Sequence, residues 1–116
     1  MDILEGLESI GIDLDIVLHR FSNNAALLER FLLKFPKDKT YSALKQAVEE
    51  KDYASIESDA HTLKGIAANL GFDLLSKRAA EMVDKVRAND YADLETIFEA
   101  LSEEYEKIIA VIERNG

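Results

Sequence analysis

The chain has no cysteine, no tryptophan, one proline and only five glycines. Without cysteine, neither a disulfide framework nor a thiolate metal site can form, and a reducing interior suits such a chain. So little glycine and proline argues against long loops and against a many-turned β fold. The longest apolar runs are a few residues, far short of the ~20 that span a bilayer. The first residues, Met1-Asp2-Ile3-Leu4-Glu5, are acidic where a signal peptide is basic. The expected location is therefore the cytoplasm. Positive charge is also scarce: 14 Lys and Arg face 23 Asp and Glu, a net charge of −9. Nucleic acid and anionic membrane both demand clustered cations, so neither is an expected partner.

What remains is material for packed helices. The 116 residues fit one domain, 1–116, and 47% hydrophobic residues with 32% charged supply a core and a solvated shell. A short first helix is expected from Asp13, as its cap, to about Arg20. A second begins at Asn23 or Asn24, with Leu27, Leu28, Phe31, Leu32 and Phe35 at three- and four-residue steps. Pro36 should kink or interrupt it, and Tyr41, Leu44, Ala47 and Val48 resume the period, so 24–50 reads as one broken or bent arm. Asp52 is the expected cap of a third helix from Tyr53 to about Leu70, with Gly71 as a left-handed stop. Asp73 is the expected cap of a fourth, carrying Leu75, Ala79, Met82 and Val86. The last is expected from Tyr91 to about Glu113.

Asp52-Tyr53-Ala54-Ser55-Ile56-Glu57 echoes Asp90-Tyr91-Ala92-Asp93-Leu94-Glu95, which reads as two helix starts answering one capping demand rather than as a repeat. Amphipathic segments joined by short connections predict an all-α fold: an antiparallel up-down-up-down four-helix bundle with a short extra N-terminal helix.

In the third helix the core stripe reads Ile56, Ala60, Leu63, Ala67, Leu70. His61 stands about 100° round from Ala60, off that stripe. Its same-face neighbours are Glu57, Ser58, Lys64, Gly65 and Ala68. An isolated surface histidine is usually just solvated, as is an isolated lysine. Together they suggest chemistry. A free imidazole titrates at about pH 6.5, so near neutrality its lone pair is an available nucleophile. A phosphoryl group on it would bring roughly two negative charges, which Lys64 is placed to offset. Gly65 costs the helix about 1 kcal/mol relative to alanine. Either it permits tight helix packing, or it clears backbone for another protein to approach. His19 has no such company and reads as a surface or packing residue. Residues 61–88 hold five cations (Lys64, Lys77, Arg78, Lys85, Arg87) against Asp73, Glu81 and Asp84, a net of +2 that leaves −11 on the remainder. An acidic partner is the natural match for that segment.

Ala60-His61-Thr62-Leu63-Lys64-Gly65-Ile66-Ala67-Ala68-Asn69-Leu70-Gly71 resembles the signature of histidine-containing phosphotransfer (HPt) domains, His-x-Leu-Lys-Gly-x-Ala-x-x-x-Gly, at every fixed position. Gly11-Ile12-Asp13 and Arg20-Phe21 look like that family's first helix. Leu32-x-x-Phe35 and Ala47-x-x-x-x-Asp52 look like its second and the approach to the third, so the likeness extends over about 10–115. The resemblance implies that His61 is phosphorylated, on the ring nitrogen farther from the backbone. It further implies that Lys64 steadies the phosphoryl group and that Gly65 admits the partner. Helical spacing puts Glu57, Ser58 and Ala68 on that same face, as further candidates for partner binding. It implies a carrier without autokinase activity. No cofactor is expected on this chain; response-regulator receiver domains are the implied partners and bring an aspartate and Mg2+. A hybrid histidine kinase is a further candidate partner. A monomer is the default, since His61 must stay accessible.

Other classes fit less well. Autophosphorylating histidine kinases follow the phosphohistidine with an acidic residue and carry an ATP-binding domain; here Thr62 follows His61 and no Gly-rich nucleotide loop is present. No nucleophile–base pair for a hydrolase stands out. A di-metal bundle needs Glu-x-x-His pairs, and position 58 is serine. The alternative of another class is a binding-only helical adaptor that sequesters a response regulator and is never phosphorylated. Met1 and the short tail beyond Glu113 suit a stand-alone protein, and suit equally a domain cut from a larger sensor.

Overall fold

Capping residues and apolar periodicity cut the chain into helices almost where the sequence places them. The computed structural model describes residues 2–115; Met1 and Gly116, the ends of the expected 1–116 domain, lie outside the described residues. The protein is all-α, and no strand occurs among the described residues. Its helices are α1 (Ile3–Ser9), α2 (Leu14–Arg20), α3 (Ala25–Lys34), α4 (Thr40–Glu50), α5 (Tyr53–Asn69), α6 (Asp73–Arg87) and α7 (Leu94–Asn115). A 3-10 turn, Phe35–Lys37, separates α3 from α4.

Asp13, Asn24 and Asp52 cap α2, α3 and α5, each accepting from the backbone N–H three residues on. The Ser55 hydroxyl also donates to the Asp52 carboxylate at 2.7 Å. These bonds hold the Asp52 carboxyl below its usual range. Pro36 sits at the head of the 3-10 turn, so the expected arm 24–50 is broken into two helices rather than bent.

Three boundaries differ from expectation. Asp73 is not a cap: Phe72 occupies that position without a side-chain cap bond, and the carboxylate lies in the first turn, where the helix dipole still favours it. The last helix begins at Leu94 rather than Tyr91. Tyr91 instead stacks on Tyr53, with centroids 3.8 Å apart and planes 5° from parallel. Asp90 pairs with Lys85 at 3.1 Å. The echo between the two segments therefore does not mark two equivalent helix starts; it supplies two tyrosines that meet. Finally, α1 was not expected. Ile3 and Leu7 are buried, and the helix packs on α7 and α2.

Helices α4, α5, α6 and α7 each pack on the next, and α4 also packs on α7, closing a ring around the core. The stripe predicted for α5 is buried in full: Ile56, Ala60, Leu63, Ala67 and Leu70. Between α4 and α7, Tyr41 stacks on Tyr105 at 3.7 Å, and its hydroxyl donates to Ser102 Oγ at 2.8 Å. No buried side-chain nitrogen or oxygen lacks a partner among the described residues. Among the described residues no helix is long and apolar enough to cross a membrane.

The end of α5 is locked from outside. Gly71 adopts φ +82°, the left-handed region where an L side chain is strained. A Cβ there would also collide with Val17 Cγ2 of α2 and lie 3.3 Å from Ile12 Cγ2. Beside it, Arg20 of α2 donates to the carbonyls of Ala68 and Asn69, two of the groups a helix C-terminus leaves open. Gly71→Ala combines a left-handed penalty with crowding, and each costs about 1 kcal/mol or more. The expected destabilisation is therefore ~2 kcal/mol in denaturant unfolding. Unchanged stability would mean that α2 can move away freely.

Candidate functional site

A helix with one buried stripe leaves the opposite face to solvent, and α5 carries its chemistry there. His61, Ser58, Gly65 and Ala68 are exposed, and Glu57 and Lys64 are half-buried. The six residues named from the sequence thus share one accessible face. The imidazole of His61 makes no hydrogen bond or ion pair with another described side chain, and the residue is exposed to solvent. Behind it Ala60 and Leu63 are fully buried, which fixes the roll of the helix and hence the direction of the ring.

Gly65 separates the two roles it could have. A Cβ built on it meets nothing within 4 Å, so no neighbouring helix requires the glycine. The packing role is excluded. What the residue leaves is bare backbone, one turn from the imidazole and open to solvent.

The local electrostatics are built by α6. Ser76 Oγ donates to the Lys64 carbonyl at 3.0 Å, pinning α6 against α5 at this level. The ammonium of Lys64 enters no ion pair among the described residues. Glu57 does not pair with His61, the contact its spacing allowed. Its Oε2 accepts from Nε of Arg87 at 3.1 Å, tying the start of the site to the last residue of α6. In the sequence Arg87 is only one cation of a +2 segment. Its pairing spans 30 residues, and no local spacing encodes it.

An apolar groove of about 300 Å³ borders this face on the α3 side, lined by Phe31, Lys34, Ile66, Asn69 and Leu70 among others. Phe31 is 43% exposed although its edge packs on Phe21. His19 is exposed at the end of α2. Among the described residues no three His, Asp or Glu side chains are grouped as a metal site.

Such a face can present a nucleophilic nitrogen to a second protein. Searches of curated proteins and of solved structures returned no match. A family model does match: the Hpt domain, over residues 25–111. The matched span holds the whole histidine motif but begins after Gly11–Asp13 and Arg20–Phe21, whose likeness to the family lies outside it. Since that span takes in most of the 116 residues, the chain belongs to the Hpt domain family, the phosphocarrier modules of two-component signalling.

Proposed function

We propose that this chain is a phosphorelay intermediate that carries a phosphoryl group on His61 between receiver-domain aspartates. The observation that carries the reading is an imidazole on the solvent face of α5, one turn from a glycine whose missing side chain no packing requires. In the forward step the ring nitrogen farther from the backbone attacks the phosphorus of a receiver acyl phosphate with its lone pair. A P–N bond forms, the P–O bond breaks, and the aspartate carboxylate leaves with the bonding electrons. The second ring nitrogen keeps its proton throughout. The reverse sequence delivers the group to another receiver.

Phosphoryl transfer asks for in-line placement and charge stabilisation rather than elaborate covalent machinery. An acidic, Mg2+-binding receiver pocket would supply the metal, and Lys64 a cation beside the transferring group. Glu57, Ser58, Gly65 and Ala68 form the contact face in this reading, with the Phe31–Ile66 groove as its apolar border. The whole of 1–116 acts as one HPt domain, a cytoplasmic monomer with no autokinase activity. A hybrid histidine kinase would be one source of phosphate. The contact ring of α4 to α7 and the short connections favour the antiparallel up-down-up-down bundle.

The test is incubation with a phosphorylated receiver. Label is expected on this chain in an acid-labile, base-stable bond. A chain that binds the receiver without acquiring label would instead be the adaptor. Lys64→Ala is expected to slow transfer about tenfold, equivalent to ~1.4 kcal/mol of transition-state stabilisation. Its unfolding should be unchanged, because the ammonium holds no ion pair among the described residues. Unaltered transfer would reduce Lys64 to a solvated charge.

A further inference from the structure

Three of the five cations in residues 61–88 have carboxylate partners. Arg78 pairs with Glu81 within its own helix, and Lys85 with Asp90 and Asp93 in the following turn. Arg87 alone reaches across to α5, and its partner Glu57 lies one helical turn before His61. Residues so spaced have Cβ atoms about 5–6 Å apart. The guanidinium is therefore held by a residue one helical turn from the imidazole.

The pair is a poor structural device. Arg87 is 57% and Glu57 38% exposed, and ion pairs so solvated contribute little to stability. They also exchange partners readily. A phosphoryl group on His61 would carry roughly two negative charges and three acceptor oxygens, which a guanidinium fork engages bidentately. A single carboxylate offers less charge, and Nε of Arg87 already occupies one of its oxygens.

Resting on the phosphocarrier reading above, we propose that Glu57 and the phosphoryl group on His61 compete for Arg87, so that the Glu57–Arg87 pair sets how readily the phosphoryl group leaves. In the unmodified protein Arg87 masks a carboxylate that would otherwise repel an incoming phosphate. After transfer Arg87 turns to the phosphoryl oxygens, and Glu57 is left to water. Because Glu57 keeps drawing Arg87 back, the phosphohistidine is held less tightly than an uncontested arginine would hold it. That suits a carrier, which must release what it takes. Glu57 is thus a positioning residue acting through Arg87.

The experiment uses the full chain labelled with nitrogen-15 and phosphorylated by phosphoramidate, a small donor that needs no receiver. The Arg87 Nε–H signal is expected to move on phosphorylation. Glu57→Gln should shift that signal in the unmodified protein, and in the phosphorylated one should move it further in the direction that phosphorylation moves it. Glu57→Gln should also lengthen the phosphohistidine lifetime about threefold, and Arg87→Gln should shorten it by a similar factor. In an Arg87→Gln background, Glu57→Gln should have no further effect. An Arg87 signal indifferent to phosphorylation would overturn the inference. So would an equal lengthening by Glu57→Gln with or without Arg87, which would mark simple repulsion. If phosphoramidate leaves no acid-labile label at all, the phosphocarrier reading itself falls.

Discussion

Replacing His61 with glutamine is expected to abolish acid-labile labelling by a phosphorylated receiver while leaving the unfolding midpoint essentially unchanged. Glutamine is similar in reach, but its amide has no free nitrogen lone pair to attack phosphorus. The fold should not notice the change. His61 is exposed, it holds no side-chain partner among the described residues, and the helix rests on Ile56, Ala60, Leu63 and Ala67 on the other side. Surface changes of this kind stay within about ±0.5 kcal/mol, and glutamine is a slightly better helix former than histidine. His19→Gln provides the control. That histidine is also exposed, but it lies at the end of α2, away from the motif, and its loss should leave labelling intact. Undiminished labelling of the His61 variant would move the phosphoryl group to another residue and end the assignment. Loss of labelling with receiver binding retained would separate chemistry from recognition.

Much of the site is legible in the sequence because it is local. Residues three and four apart share a helix face, so once Ile56, Ala60, Leu63 and Ala67 are assigned to the core, the placement of His61, Lys64 and Gly65 follows from helix geometry alone. Caps are legible for the same reason: Asp13, Asn24 and Asp52 each satisfy an amide three residues away. Gly71 could be read as a helix stop, but the approach of Val17, which also requires glycine there, could not.

What escapes sequence reading is set by distant packing. Seven residues with a thin apolar stripe do not hold a helix by themselves, and α1 exists because Ile3 and Leu7 find cover against neighbouring helices. Tyr91 reads as a helix start until Tyr53, nearly forty positions earlier, offers it a stacking surface. Arg20 on the α5 carbonyls and Arg87 on Glu57 are contacts of separation 48 and 30. Both concern the site, since one fixes the end of its helix and the other its charge. Neither leaves a periodic trace.

Gly65→Gln offers a test in which stability and activity should move in opposite directions. In mid-helix glycine is about 1 kcal/mol worse than alanine, and glutamine recovers most of that. Recovery requires room for the new side chain, and a Cβ at this position meets nothing within 4 Å. The variant should therefore be more stable than the parent by roughly 0.5 kcal/mol in denaturant unfolding. Transfer from a phosphorylated receiver should nevertheless fall about 100-fold, because displacing a reacting pair by ~1 Å can cost that much. Labelling by phosphoramidate should be nearly unaffected, since a donor of a few atoms does not need the cleared backbone. A glycine kept for helix packing would give the reverse pattern, with lost stability and transfer that falls only as the fold does. Receiver-dependent transfer at the parental rate in a stabilised variant would show that the partner does not approach over Gly65, and the docking face would have to be sought elsewhere on α5.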